Sequence, residues 1–225
     1  MKKTLLLLFF SILFFAAFAQ SEIKPINWSA VERLAENQPD SIRALVDRLV
    51  AVDRTLTGDE KRLAVYGQSI LTKDRDENMA AQAEEAYEAG KYKEAYRLAK
   101  NALNMNALSL TALRIAEWSI MKQLEAGSPN FFESDAEAFR KRANSIYSTI
   151  ETTGDGTQKM PFFVTKVSDE YNFMRYYLEL QEFAGQNLVG NCDVIDLAQI
   201  SQYYTKKKIW FEASRPLKLA KEKTK

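Results

Sequence analysis

The sequence of 225 residues has no histidine, one cysteine, eight glycines and five prolines. Histidine is the side chain that ordinarily changes charge near neutral pH, and it is the commonest transition-metal ligand. Without it, Ser-His-Asp and Cys-His hydrolysis are excluded, and neither a metal centre nor a cofactor is expected. Cys192, being alone, has no partner for an intramolecular disulfide. Excess charge of either sign is missing too: 31 basic residues face 30 acidic ones, so no bulk field draws nucleic acid. Sparse glycine and proline beside 12% aromatic residues speak against disorder and suit packed helices.

Long apolar runs are scarce, and the one present has a specific form. Lys2 and Lys3 precede an apolar stretch at residues 5–15, and Ala17-Phe18-Ala19 follows; this is the charged, apolar and small-x-small order of a secretory signal peptide. The stretch is too short for a permanent anchor. No later run of about 20 apolar residues appears, so no membrane span is expected after cleavage. No cysteine follows the cleavage site to carry a lipid. The expectation is an exported, periplasmic or extracellular protein whose mature chain starts at Gln20. Taking Lys2 and Lys3 from the 31 basic residues leaves 29 against 30 acidic, a net charge near −1.

Periodicity divides the rest into a helical region at 20–153, a β-rich region at 154–217 and a basic tail at 218–225. Residues 27–52 read as a helical pair, with capping-box spacing at Ser29 and Glu32 and one apolar face of Ile42, Leu45, Val46, Leu49 and Val50. Thr57 and Glu60 repeat the capping box before a helix over 58–71, and the polar stretch 72–78 reads as a connection. From Met79 the pattern of Ala83, Ala86, Gly90, Tyr92, Ala95, Ala99 and Ala102 resembles a tetratricopeptide repeat, a hairpin of two helices held close by small residues. Residues 110–123 and 135–151, the latter capped by Ser134, supply a second pair. After Gly154-Asp155-Gly156-Thr157, strands are expected at 162–167, 193–200 and 209–213, with a short helix at 171–178. The fold class is α+β, a helical layer followed by a small antiparallel sheet packed on it.

Leu56-Thr57, Leu63, Tyr66-Gly67, the repeat-like helices, Gly154-Asp155-Gly156-Thr157, Phe163-Val164, Asp169-Glu170-Tyr171, Gln186-Asn187-Leu188 and Trp210-Phe211 together resemble one family. It is the domain of unknown function 4919, found in exported proteins of Bacteroidota. The resemblance implies fold and location and supplies no mechanism. Members often carry a histidine in the strand after the glycine-rich turn, where this chain has Phe162-Phe163.

Four constellations have a functional and a structural reading. Asp74, Asp76, Asn78 and Glu85 match positions one, three, five and twelve of a calcium loop, but Met79 stands where the sharp turn needs glycine, and a charged loop before a helix fits as well. Asp169 and Glu170 beside Tyr171 form either an acidic site near the Gly154 turn, with Asp155, or the acid-rich start of a helix. Lys206, Lys207 and Lys208 before Ile209-Trp210-Phe211 either hold a polyanion or guard an exposed edge strand. Cys192 is a small partly buried hydrophobe or an intermolecular disulfide.

The reading that follows is an exported non-catalytic protein that binds a protein or peptide partner on its helical face, where Tyr92 and Tyr96 lie. Asp155, Asp169, Glu170 and Tyr171 are further candidate binding residues. The competing reading is a hydrolase of glycans that uses two of those carboxylates across a cleft.

Overall fold

A computed structural model describes residues 23–223; the expected leader at 1–19 lies outside them, as does the last part of the basic tail. Helix α1 (Trp28–Asn37) is capped by Asn27, whose side chain accepts from the Ala30 amide at 3.1 Å. Asn27, not the Ser29–Glu32 pair, therefore closes that end. Pro39 opens α2 (Pro39–Val50), where its missing N–H would have had no helical partner anyway. The expected apolar face is turned inward: Ile42, Val46 and Leu49 are buried, and Leu45 and Val50 half so. The capping box of α3 (Gly58–Thr72) forms as read, the Glu60 amide donating to the Thr57 hydroxyl and the Thr57 amide to the Glu60 carboxylate.

Next come α4 (Glu77–Glu88) and α5 (Tyr92–Met105), joined through Gly90 at φ 74°, a left-handed angle that glycine adopts without strain. Ala80, Ala83 and Ala86 bury against a partner helix carrying Ala95, Ala99 and Ala102, all buried, so the two backbones approach closely. Helices α6 (Leu110–Glu125) and α7 (Glu133–Glu151) continue the array, each packed on the one before, and α4 also touches α6. Phe132, two residues earlier than expected, sits at the α7 N-cap, and Ser134 lies inside the helix.

Beyond α7 the chain runs through β1 (Phe162–Phe163), α8 (Val167–Tyr176), β2 (Phe183–Val189), β3 (Cys192–Leu197), β4 (Lys208–Glu212) and α9 (Ser214–Lys223). The α+β order holds. The sheet order is β1-β4-β3-β2, with β3 antiparallel to both neighbours and β1 parallel to β4, so the sheet is mixed where a wholly antiparallel one was expected. A long excursion through α8 and a hairpin separates β1 from β4, and such an excursion can return a strand in the same direction. The expected strand at 162–167 stops after two residues because Lys166 already serves as the N-cap of α8. Strand β2 has no counterpart in the sequence reading. It and β1 form the two sheet edges, so Lys206–Lys208, leading into the inner strand β4, do not guard one: Trp210 donates to the Gly156 carbonyl at 3.0 Å, and Lys208 pairs with Asp196 at 2.8 Å. Residues 214–223 are helical where part of a frayed tail was expected, and Lys218 pairs with Glu32 of α1. One cluster of buried apolar side chains takes members from Ile26 through Phe211, so helices and sheet share a core.

Three corners of this fold converge on one buried ion pair. Lys166 Nζ lies 2.6 Å from Asp76 Oδ2, with 5% and 0% of the two side chains exposed. Asp76 sits between α3 and α4, in a turn where Lys73 and Asp74 both adopt left-handed φ angles. Its other oxygen accepts from Asn106 at the end of α5, and Asn106 in turn accepts from the Leu108 amide at 3.1 Å. Burial opposes ionisation of Asp76, but the Lys166 ammonium together with hydrogen bonding holds the carboxyl below its ordinary range. Lys166, conversely, is held above its ordinary pKa by Asp169 and Asp76 against the cost of burial.

Leaving one buried charge without its partner typically costs about 3–5 kcal/mol, whereas replacing both with apolar groups costs much less. Asp76→Asn or Lys166→Met should therefore lower unfolding free energy in urea by about 3–5 kcal/mol, and the Asp76→Leu/Lys166→Met pair by clearly less than the sum. Single variants within about 1 kcal/mol of the parent chain would show that the pair does not hold the corners together.

Candidate functional site

Asp169 and Glu170 occupy the first turn of α8, where acids favour the positive end of the helix. Both are interior, at 4% and 0% exposure. One Asp169 oxygen accepts from the Thr165 hydroxyl at 2.6 Å and the other has no partner; burial pushes the group up to about 6 although Lys166 pulls it down. Neither oxygen of Glu170 has a partner at hydrogen-bond distance, and burial, followed by the neighbouring Asp193 carboxylate, pushes it up to about 9. Glu170 is therefore protonated at neutral pH.

Asp155 belongs to a different structure. Its carboxylate accepts from the Thr157 amide at 2.9 Å and pairs with Lys206 at 3.3 Å, bracing the turn before β1. Gly156 in that turn has φ 72°, and a Cβ there would lie 2.6 Å from the Tyr204 hydroxyl. Asp155 thus lies apart from Asp169 and Glu170, and the two interior acids, at 4% and 0% exposure, are not presented to solvent as a pair across a cleft. The calcium-loop spacing is likewise spent on structure: Asp76 is held by Lys166, Asn78 accepts from Gln82, and among the described residues no group of three His, Cys, Asp or Glu is placed to hold a metal ion. Cys192 is partly buried and unpaired with sulfur, and burial raises its thiol pKa.

The open chemistry lies on the helical face, around a residue the sequence reading passed over. Arg114 stands in the buried stretch of α6 with 7% of its side chain exposed. One terminal nitrogen donates to Asn172 of α8, the other to Glu84 of α4, and Nε has no partner. Its guanidinium lies 4.0 Å from the centre of the Tyr176 ring and 4.9 Å from that of Trp118. Weak hydration of the planar guanidinium makes such stacking favourable where an ammonium would fit poorly.

Arg114 forms a wall shared by two clefts. One, of about 290 Å³, opens between α6 and α8 and is lined also by Glu84, Thr111, Ser168, Tyr171, Asn172 and Arg175. The other, of about 210 Å³, lies towards α7 among Glu117, Trp118, Arg140, Tyr147 and Tyr176. From Tyr176 a run of partly exposed rings crosses the helical layer: Trp118 at 5.2 Å, Tyr87 a further 5.7 Å, Tyr92 a further 5.2 Å. A third cleft of about 350 Å³ between α2, α3 and α5 has the exposed residues Arg43, Asp47, Arg75 and Asn104 at its rim and Gln68 and Thr72 deeper.

Of the residues singled out from sequence, Tyr171 lines the α6–α8 cleft and Tyr92 ends the aromatic run. Tyr96 packs edge-on against Phe131 at 5.3 Å, away from both. Arg114, Trp118, Arg175 and Tyr176 were missed. The legible signal was Arg114 itself, a cation among Leu110, Leu113, Ile115 and Ile120, because a charge on a buried helical face must find partners.

A buried acid whose folded pKa exceeds its unfolded value binds more protons folded than unfolded. Stability from such a group is complete below the unfolded pKa and declines as pH rises towards the folded one, by up to about 1.4 kcal/mol per pH unit. For Glu170 that window runs from the ordinary glutamate value of 4.5 to about 9. Glu170→Gln, which cannot ionise, should flatten the decline in urea-unfolding stability between pH 6 and 9 and be the more stable protein at pH 8.5. Parallel pH profiles for the two proteins would refute the assignment.

Among the described residues no helix is long and apolar enough to cross a membrane. No match was found among curated proteins or solved structures. A family model described as domain of unknown function, DUF4919, matches residues 32–222, which is most of the chain and all of the site described above, and the chain belongs to that family.

Proposed function

We propose that this protein is exported and binds a protein or peptide partner on its helical face, with the two clefts around Arg114 as the seat of binding. The run Tyr92–Tyr87–Trp118–Tyr176, closed by a buried guanidinium, is the observation that supports the reading. Tyrosine, tryptophan and arginine are enriched among the residues that carry binding energy at protein interfaces, the rings because they offer large, stiff, amphipathic surfaces and arginine because its planar fork makes several hydrogen bonds at once. Here they border clefts of about 290 and 210 Å³, room for individual side chains of a bound segment. Export is supported by the order of Lys2, Lys3, the apolar residues 5–15 and Ala17-Phe18-Ala19.

A displayed random-peptide library panned on the chain from Gln20 onward should enrich specific sequences. Tyr176→Ala, at a ring 39% exposed, should weaken the enriched peptides about tenfold or more while leaving the unfolding midpoint close to that of the parent. Failure to enrich any peptide, or enriched peptides indifferent to Tyr176→Ala, would overturn the reading. For export, the amino terminus of the protein recovered from periplasm or medium should be Gln20; an intact precursor kept in the cytosol would refute it.

A further inference from the structure

The α6–α8 cleft has a charge imbalance that no neighbour corrects. Arg175 is exposed at its rim, has no ion-pair partner among the described residues, and lies 5.6 Å from the centres of both the Tyr171 and Phe183 rings. Those two rings hold the guanidinium in place without neutralising it. Arg114, at the back of the cleft, shares one carboxylate, Glu84. Including the adjoining cleft, where Arg140 lies 3.8 Å from Glu117, three guanidiniums face two carboxylates. Glu84 is the partner a ligand can reach, with 41% of its side chain exposed on α4. Hydroxyls of Thr111 and Ser168 complete the polar lining.

We propose that this cleft takes a carboxylate of the bound peptide, received by Arg175 at the rim and backed by Arg114, with Glu84 as the internal carboxylate that the ligand displaces. The inference rests on the peptide-binding reading above and specifies its chemistry. The planar fork of a guanidinium matches a carboxylate with two parallel N–H···O bonds, and an arginine already fixed on aromatic faces loses little further freedom on making them. A peptide offers such a group at its C-terminus or on an aspartate or glutamate side chain.

The test uses arrays of random N-acetylated hexapeptides in three forms: free C-terminus without acidic residues, amidated C-terminus without acidic residues, and amidated C-terminus with one fixed glutamate. Binding of the chain from Gln20 to the first or the third form, at least about tenfold above the second, supports the proposal and identifies the source of the carboxylate. Arg175→Gln should abolish that preference, and Glu84→Gln should strengthen binding by removing the competitor. Arg175 is at the surface, so Arg175→Gln should keep the unfolding midpoint of the parent, whereas Glu84→Gln leaves Arg114 without its carboxylate and is compared at a temperature well below its own lowered midpoint, where both proteins are folded. Equal binding of all three forms, with sensitivity to Tyr176→Ala retained, would overturn the carboxylate proposal and leave the peptide reading standing. Binding of none of the forms would overturn both.

Discussion

Lys166 and Asp76 lie where three chain reversals must agree: the α3–α4 turn, the α5–α6 turn and the start of α8. An ammonium and a carboxylate removed from water are tolerable only at close contact and with further hydrogen bonds, so the 2.6 Å separation restricts all three corners at once. Hydrophobic burial supplies most of the driving force for folding but is indifferent to small slides of one helix on another. The ion pair is directional, and it acts as a register mark for α8 on the helical array.

That register decides the site. Asn172, in the second turn of α8, accepts from Arg114 and donates to Thr111 at 3.0 Å, and Tyr176, one turn further, lies over the Arg114 guanidinium. A shift of α8 by one residue would aim a different side chain at α6 and leave Arg114 a buried charge with only Glu84 beside it. The same helix turns Asp169 and Glu170 inward, where burial favours their neutral forms. One short helix thus has a polar interior face, which sets the pH response of stability, and an outer face, which completes the cleft.

The helical layer was legible because its signals are local. The Thr57–Glu60 box, the apolar face of α2 and the alanine spacing of α4 and α5 depend on residues three or four apart, and each appears where the pattern places it. Strand β2 was not legible: Phe183–Val189 contains alanine, glycine, glutamine and asparagine, poor strand formers, and becomes a strand by pairing with β3 across the Gly190–Asn191 turn. The parallel partner of β4 was hidden for a similar reason, since β1 is two residues long and lies some fifty residues away in sequence. Asp169 and Glu170 were visible as acids at a helix start, but their depth was not, because it comes from elements distant in sequence, the Asp74–Asp76 turn near Asp169 and Asp193 of β3 near Glu170.

Sequence by itself determined the chemistry that is absent, histidine-dependent catalysis and internal disulfides, because composition needs no geometry. It determined the order of helices before sheet, because hydrophobic period is written along the chain. It also carried the family, because the matching residues span nearly its whole length. Only tertiary structure decided that Arg114, Trp118, Arg175 and Tyr176 share one surface while Asp155 and Asp169 do not. Proximity between residues sixty positions apart depends on how helices pack, and packing is a property of the assembled core that no local stretch of sequence contains.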